Sequence, residues 1–255
     1  MMLHLNDKVA IITGAAMGMG ESTAELFAEA GAKVVIADYN AEEGQKVADA
    51  IKANGGEATF IQVDVSNEEQ VKNLVRETVE TYGRLDVAVN NAAITPDDKP
   101  VAEIDFDYYD QLMGVDLKGV MLCMKYEIEQ MLKQGDGGSI VNTSSVSGLR
   151  PQPSNPAYVT AKHGVIGATK AAAMDHSSEG IRVNTVCPGA IDTPMLQGAL
   201  EQFDLDPVEY AKQLSLLGRF AESKEVAHAN LWLCSDLSSY VTGATLAVDG
   251  GYTAM

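Results

Sequence analysis

The chain has 255 residues, 46% hydrophobic and 21% charged, which is enough to bury a full core in one α/β domain and unlike disordered or collagen-like sequence. Its formal charge of −18 argues against nucleic acid and anionic membrane surfaces as partners, because both demand basic patches. The stretch from Met1 to Lys8 has no basic flank leading into a long apolar run, so neither a signal peptide nor a membrane span is expected, and a cytoplasmic location is the plain reading.

Taken in chain order, apolar β-branched runs alternate with amphipathic stretches. The first strand is expected at Lys8–Thr13 and leads into Gly14–Ala15–Ala16–Met17–Gly18–Met19–Gly20. A helix pattern follows from Gly20 to Ala30 and stops at Gly31, a natural C′ residue. Glycines spaced G-x-x-x-G-x-G between strand and helix give a tight turn, a close backbone approach and a helix N-terminus. Those features suit a pyrophosphate held by Gly14, Met17, Gly18, Met19 and Gly20. The second strand, Lys33–Asp38, ends in a carboxylate that can accept both adenosine ribose hydroxyls and would repel a 2′-phosphate. Neither Tyr39 beside it nor Met17 supplies the positive charge NADP would need, so the expected cofactor is NAD.

The third strand, Ala58–Val63, is followed by Asp64 and Val65. Asp64 is placed to meet the adenine amino group, with Val65 adding a backbone contact, but an N-cap or turn role for Asp64 fits the sequence about as well. A helix is expected from Ser66, with Glu69 completing a capping box. The fourth strand, Leu85–Asn90, runs into Asn91–Ala92–Ala93, where small residues let the backbone pass close to the cofactor. Asn90 itself suits a structural task between strands. Thr95–Val101, with two prolines and two aspartates, reads as a loop.

The fifth strand, Ser139–Thr143, ends near Ser145, whose hydroxyl could hold a substrate oxygen. Ser144 and Ser147 are its rivals, since serines at strand ends often only form turns. Tyr158 and Lys162 stand four residues apart on one helix face. A free phenol ionises near pH 10, and a neighbouring ammonium together with the positive ring of a bound nicotinamide favours the phenolate. The sixth strand, Ile181–Cys187, is followed by Pro188, Gly189, Ile191 and Thr193, a clamp suited to a nicotinamide amide. The connection Ala190–Gly218 is long and reads as a mobile segment or helical lid over the substrate. A seventh strand is expected at Thr245–Val248. Seven strands separated by helices predict a Rossmann-type doubly wound α/β sheet, parallel throughout, in one domain spanning residues 1–255. The cysteines Cys123, Cys187 and Cys234 are expected reduced and buried, and the four scattered histidines offer no metal-ligand spacing, so no metal is expected.

These motifs together resemble those of the short-chain dehydrogenase/reductases, specifically the single-domain subgroup of about this length: Thr13-Gly14-x-x-x-Gly18-x-Gly20, Asn90-Asn91-Ala92, Ser145, Tyr158-x-x-x-Lys162 and Pro188-Gly189-x-Ile191-x-Thr193. The resemblance implies Tyr158 as general acid/base, Lys162 tuning it while binding the nicotinamide ribose, and Ser145 orienting the reacting oxygen. It also implies that Ile191 and Thr193 contact the carboxamide, and that the chain forms a homotetramer, or a homodimer, with the segment near Asp249–Gly251 at an interface. Two residues depart from the pattern. Ala93 stands where the family usually has glycine, and Asp116 stands where it carries a catalytic asparagine whose backbone carbonyl holds a water of the proton relay. A carboxylate there adds negative charge near Lys162.

The expected reaction interconverts a secondary alcohol and a ketone by hydride transfer with NAD. A Rossmann protein that senses NAD(H) without turnover is an alternative of another class, which intact Ser145, Tyr158 and Lys162 disfavour. Enoyl reduction is disfavoured because enoyl reductases of the family space the tyrosine and lysine further apart, and epimerisation because epimerases have longer chains. The expected pocket, Thr95, Ser147, Leu149, Gln152, Asn155, Met195 and Leu196, has no cationic anchor unless Arg150 serves as one. A cyclic or hydrophobic alcohol such as a hydroxysteroid, a small diol, or a sugar alcohol would each fit.

Overall fold

Strand runs that are apolar at nearly every position must be covered on both faces, and the chain meets that demand with helices above and below one sheet. The computed structural model describes residues 4–255; Met1–Leu3, the start of the N-terminal stretch read above, lie outside the described residues. The strands are β1 (Val9–Thr13), β2 (Lys33–Asp38), β3 (Glu57–Gln62), β4 (Val87–Asn90), β5 (Gly138–Thr143), β6 (Ile181–Pro188), β7 (Ile191–Asp192), β8 (Ala221–Glu222) and β9 (Thr245–Val248). Seven of them form a parallel sheet in the order β3-β2-β1-β4-β5-β6-β9, while β7 and β8 pair separately. The helices are α1 (Gly18–Glu29), α2 (Ala41–Ala53), α3 (Glu68–Tyr82), α4 (Phe106–Met113), α5 (Val120–Gln134), α6 (Pro156–His176), α7 (Pro194–Gln202), α8 (Pro207–Leu214) and α9 (Ser223–Cys234).

Alternation along each strand assigns side chains to two cores. Ala10, Ile12, Val34 and Ile36 pack with Phe27 of α1, Val47 of α2 and Leu231 of α9. Ile11, Val35 and Ala37 pack on the other face with Leu74 of α3, Ile128 of α5 and Val165 of α6. Strand order reverses between β1 and β4, so a crevice opens at their carboxyl ends, where such sheets bind ligands.

The seven sheet strands fall where the sequence places them, with shifts that have local causes. β4 starts at Val87 rather than Leu85, because the Gln134 side chain takes both Leu85 backbone groups, at 2.8 and 2.7 Å. The helix expected from Ser66 begins at Glu68 under Asn67, whose side chain accepts the Glu69 and Gln70 N–H groups. Ser66 is held outside it by Asp64, whose Oδ1 accepts both the Ser66 N–H and hydroxyl. The helix expected from Gly20 begins two residues earlier. The connection 190–218 contains α7 and α8, capped by Thr193 and Asp206. The three cysteines are free and buried, and among the described residues no helix is long and apolar enough to cross a membrane.

Candidate active site

The Gly-rich turn follows β1, and its shape is enforced from β4. Thr13 Oγ1 accepts the Asn91 and Ala92 N–H groups at 3.0 and 3.2 Å, and Asn91 Nδ2 donates to the Thr13 and Gly14 carbonyls. A Cβ on Gly20 would overlap the Gly14 carbonyl, so helix and turn touch backbone to backbone. Gly18 has φ +59°, and a Cβ there would lie 3.4 Å from Thr193, which narrows the gap between the start of α1 and the segment after β6. Met17, the N-cap of α1, offers no side-chain cap to the helix, whose N-terminus carries a partial positive charge at the carboxyl end of β1. These features fit a dinucleotide: glycines that let strand, turn and helix pack closely, and a helix N-terminus beside them.

At the end of β2, Asp38 uses both carboxylate oxygens to fix the turn. Oδ2 accepts the Ala16 N–H and Oδ1 the Asn40 N–H, each at 2.9 Å. Each oxygen keeps further lone-pair capacity. Tyr39 beside it is exposed. Asp64 makes the turn contact through Oδ1, which accepts the Ser66 N–H and hydroxyl. Asn90 is structural as expected, donating to Glu127 of α5 and Asn142 of β5, both at 3.0 Å; Asn142 goes on to Thr169 of α6.

The second half of the site lies at the ends of β5 and β6. Ser145 Oγ accepts the Ser147 N–H at 3.1 Å and caps the short 3-10 turn Val146–Gly148. Its rival Ser144 donates its hydroxyl to the Lys162 carbonyl at 2.8 Å. Tyr158 and Lys162 are on α6, with Lys162 Nζ 5.3 Å from the Tyr158 ring centre. Burial pushes the Tyr158 phenol above its ordinary value, the Lys162 charge and a hydrogen bond with Ser145 pull it down, and Asp116 opposes them. The Lys162 charge thus favours the phenolate, but burial outweighs it among the protein's own groups. For Lys162 burial works against the ammonium, yet Asp116 and Tyr158 hold it above the ordinary lysine range.

A cleft of about 890 Å³ opens in front of Ser145 and Tyr158. Thr95, Ser147, Gln152, Asn155, Met195 and Leu196 line it, as do Met19, Pro188, Gly189, Ile191 and Thr193; Leu149 and Arg150 do not. Arg150 instead donates to the Tyr252 and Met255 carbonyl oxygens and covers the Tyr252 ring, so it is tied to the C-terminal segment. Tyr252 itself reaches the cleft, as do Phe203 and Tyr210 of the 190–218 segment.

The sequence reading missed Asp97. Its Oδ1 and Oδ2 accept the Tyr158 and Ala157 N–H groups, each at 3.0 Å, and its carbonyl accepts from Asn155 Nδ2. A loop residue after β4 thus caps the helix that carries Tyr158, whose own N-cap position, Asn155, makes no cap. Leu112 of α4 packs with Ala157 and Ala161 and supports the same helix turn. A carboxylate in a polar loop carries no local mark of capping a helix about sixty residues on.

A family model described as "Enoyl-(Acyl carrier protein) reductase" matches residues 14–253. The 2,5-dichloro-2,5-cyclohexadiene-1,4-diol dehydrogenase of Sphingobium indicum (strain B90A) is 45% identical over 254 residues, covering 100% of both chains. The cyclohexanol dehydrogenase of an Acinetobacter species (strain SE19) is 42% identical, covering 97% of this chain and 96% of its own. Among solved structures, levodione reductase superposes with a TM-score of 0.93 at 35% identity, covering 98% of each chain. With the fold and motifs above, these place the chain in the short-chain dehydrogenase/reductase family of oxidoreductases, whose Rossmann sheet binds a nicotinamide cofactor.

Proposed function

We propose that this protein is an NAD-dependent dehydrogenase for secondary alcohols on six-membered rings, which also reduces the corresponding ketones. The observation that carries this reading is the meeting of Ser145 and Tyr158 on the wall of the cleft, with the Gly14–Gly20 turn and Thr193 beside them. Relatives named for cyclohexanol and for a cyclohexadiene diol support the ring.

The dinucleotide would be held at its pyrophosphate by Gly14, Met17, Gly18, Met19 and Gly20, and at its adenosine by Asp38, Tyr39, Asp64 and Val65. Asn91, Ala92 and Ala93 would line its middle. At the nicotinamide end Pro188, Gly189, Ile191 and Thr193 would hold the amide and Lys162 the ribose. When bound, it supplies or accepts the hydride. NAD is favoured over NADP because a 2′-phosphate would face the Asp38 carboxylate, with Met17 and Tyr39 as its uncharged neighbours. Ser145 holds the substrate oxygen by its hydroxyl. Tyr158 takes the alcohol proton on its phenolate oxygen during oxidation and returns it during reduction. Buried Lys162 keeps a positive charge under that oxygen.

An uncharged substrate is favoured, because Arg150 is tied to the C-terminal segment and Lys99 on the cleft rim stands among Asp97, Asp98 and Asp105. Tyr108, Tyr109, Phe203 and Tyr210 give the same cleft aromatic walls suited to a ring. A homotetramer, or a homodimer, fits exposed Met121 on α5 and Met174 on α6, and a cytoplasmic setting fits three free thiols.

The test is a steady-state panel read by reduced-nicotinamide absorbance: cyclohexanol, a ring diol, a hydroxysteroid and a sugar alcohol, each with NAD and NADP, and an enoyl thioester with NADH. Turnover should be fastest on the ring alcohols with NAD. Turnover confined to the enoyl thioester, or tight NADH binding with no turnover, would overturn the proposal.

A further inference from the structure

Position 116 is where the chain departs from its family's pattern, and the structure shows what the departure adds. Asp116 is fully buried in a six-residue π-helical segment, Gly114–Gly119, between α4 and α5. Its Oδ1 accepts the Ile94 N–H at 2.9 Å, a bond an asparagine side chain would make equally well. Its Oδ2 lies 3.1 Å from Lys162 Nζ, and both side chains are almost wholly shielded from water. That oxygen has no hydrogen-bond partner besides this ion-pair contact. The nearest other acceptor to the ammonium is the Thr143 carbonyl, at 3.4 Å. The first oxygen therefore accounts for the shape of residue 116, and the second for its charge.

We propose that Asp116 is a positioning residue for proton transfer, pairing with Lys162 so that Tyr158 exchanges its proton at a higher pH than it would above an unpaired lysine. This rests on the reading of Tyr158 as the proton-transferring group.

The effect is electrostatic. An isolated ammonium beneath the phenol favours the phenolate strongly, because little water screens it there. An ammonium paired at 3.1 Å presents a dipole, whose field falls off faster with distance. Several groups face the pair and the phenol: the Ser145 hydroxyl and Thr143 carbonyl from the end of β5, the Cys187 thiol from β6, and the Tyr108 phenol from α4. Asp97 faces the start of α6 and accepts its N–H groups. None of these places a second carboxylate against Lys162 Nζ, so the charge on Asp116 has no local substitute. The directions of titration agree: burial and Asp116 raise the phenol against the pull of Lys162 and Ser145. The same pair fixes the lysine, since an ion pair this buried holds its geometry and its protonation together. Asp116 and Tyr158 hold Lys162 above the ordinary lysine range against the effect of burial.

Asp116→Asn tests this by keeping the Ile94 bond while removing the charge. Two readouts are needed. In the full chain without dinucleotide, Tyr158 is titrated by tyrosinate absorbance, taking the difference against Tyr158→Phe. The midpoint should fall by about one pH unit in Asp116→Asn. In the pH profile of kcat/KM for cyclohexanol oxidation with NAD, the acid limb should move down by about the same amount. Asp116→Ser, smaller and equally uncharged, should shift both in the same direction. Placed in a Lys162→Met background, Asp116→Asn should lose most of its effect, because burial without the ammonium drives Asp116 toward its neutral form and leaves little charge to remove.

An unchanged or raised Tyr158 midpoint in Asp116→Asn overturns the proposal, as does a shift of the same size in the Lys162→Met background. Failure of both variants to fold would assign the pair to stability instead and overturn it as well. The tyrosinate titration needs no substrate. A protein that turns over no alcohol yet shows the shift would therefore contradict the proposed reaction and leave the Asp116–Lys162 coupling standing.

Discussion

Glu127 offers a quantitative test of how the sheet beneath the site is held. It lies on α5, 1% exposed, and accepts a hydrogen bond from Asn90 Nδ2 at 3.0 Å. Burial pushes its carboxyl up to about 8, although the Asn90 bond opposes this. An unfolded glutamate ionises near 4.5. In the folded protein the group therefore stays protonated at neutral pH, while in the unfolded chain it ionises above 4.5. The unfolded state gains by ionising, so stability contributed at low pH is lost between about 4.5 and 8 and is level above that. The slope is about 1.4 kcal/mol per pH unit, which reaches about 3 kcal/mol by pH 7. Glu127→Gln keeps an acceptor for Asn90 and removes the titration. It should match the parent near pH 4.5 and exceed it by about 3 kcal/mol at pH 7, with the gap still growing toward pH 8. Urea unfolding followed by far-UV circular dichroism, at one protein concentration and a series of pH values, measures the difference directly. A gap that does not change with pH would refute the reasoning, because a lost contact alone has no such slope.

Asp97→Ala should lower the melting temperature by about 2–4 °C, the scale set by losing the cap of one helix in a chain of this size. It should lower kcat by about tenfold, because the Tyr158 N–H loses its acceptor; an unchanged kcat would reduce Asp97 to a stability role. Asp38→Ala should weaken NAD binding and narrow the gap to NADP, measured as the ratio of kcat/KM for the two cofactors. An unchanged ratio would remove Asp38 from the cofactor assignment.

The dinucleotide half of the site is legible in the sequence because its parts are local. Gly14, Gly18 and Gly20 act within one strand–turn–helix unit, and Asp38 ends the next strand, so spacing alone brings them to one crevice. Ser145, Tyr158 and Lys162 are legible through their motif, and the cleft gathers six of the seven expected pocket residues, Thr95, Ser147, Gln152, Asn155, Met195 and Leu196. What stays hidden depends on contacts distant in sequence. The Asp97 cap on α6 and the Tyr252 wall of the cleft each join segments that only the fold brings together, whereas the Asp116 charge near Lys162 is expected from the resemblance and the fold adds its direct pairing. Arg150 fails as a substrate anchor for the same reason, since its partners are the last residues of the chain. Helix ends are displaced wherever one side chain outcompetes another, as when Asn67 caps α3 while Asp64 holds Ser66.

The central claim is that Tyr158 moves the proton of a ring alcohol while the rest of the site binds the cofactor. Comparing wild type and Tyr158→Phe, by cyclohexanol-dependent NADH formation and by NADH binding followed through its fluorescence, tests it most directly. The account predicts turnover by the wild type, a fall of about 10²–10⁴-fold or more in the variant, and NADH binding almost unchanged. A variant that keeps turnover within a few-fold of wild type would contradict it.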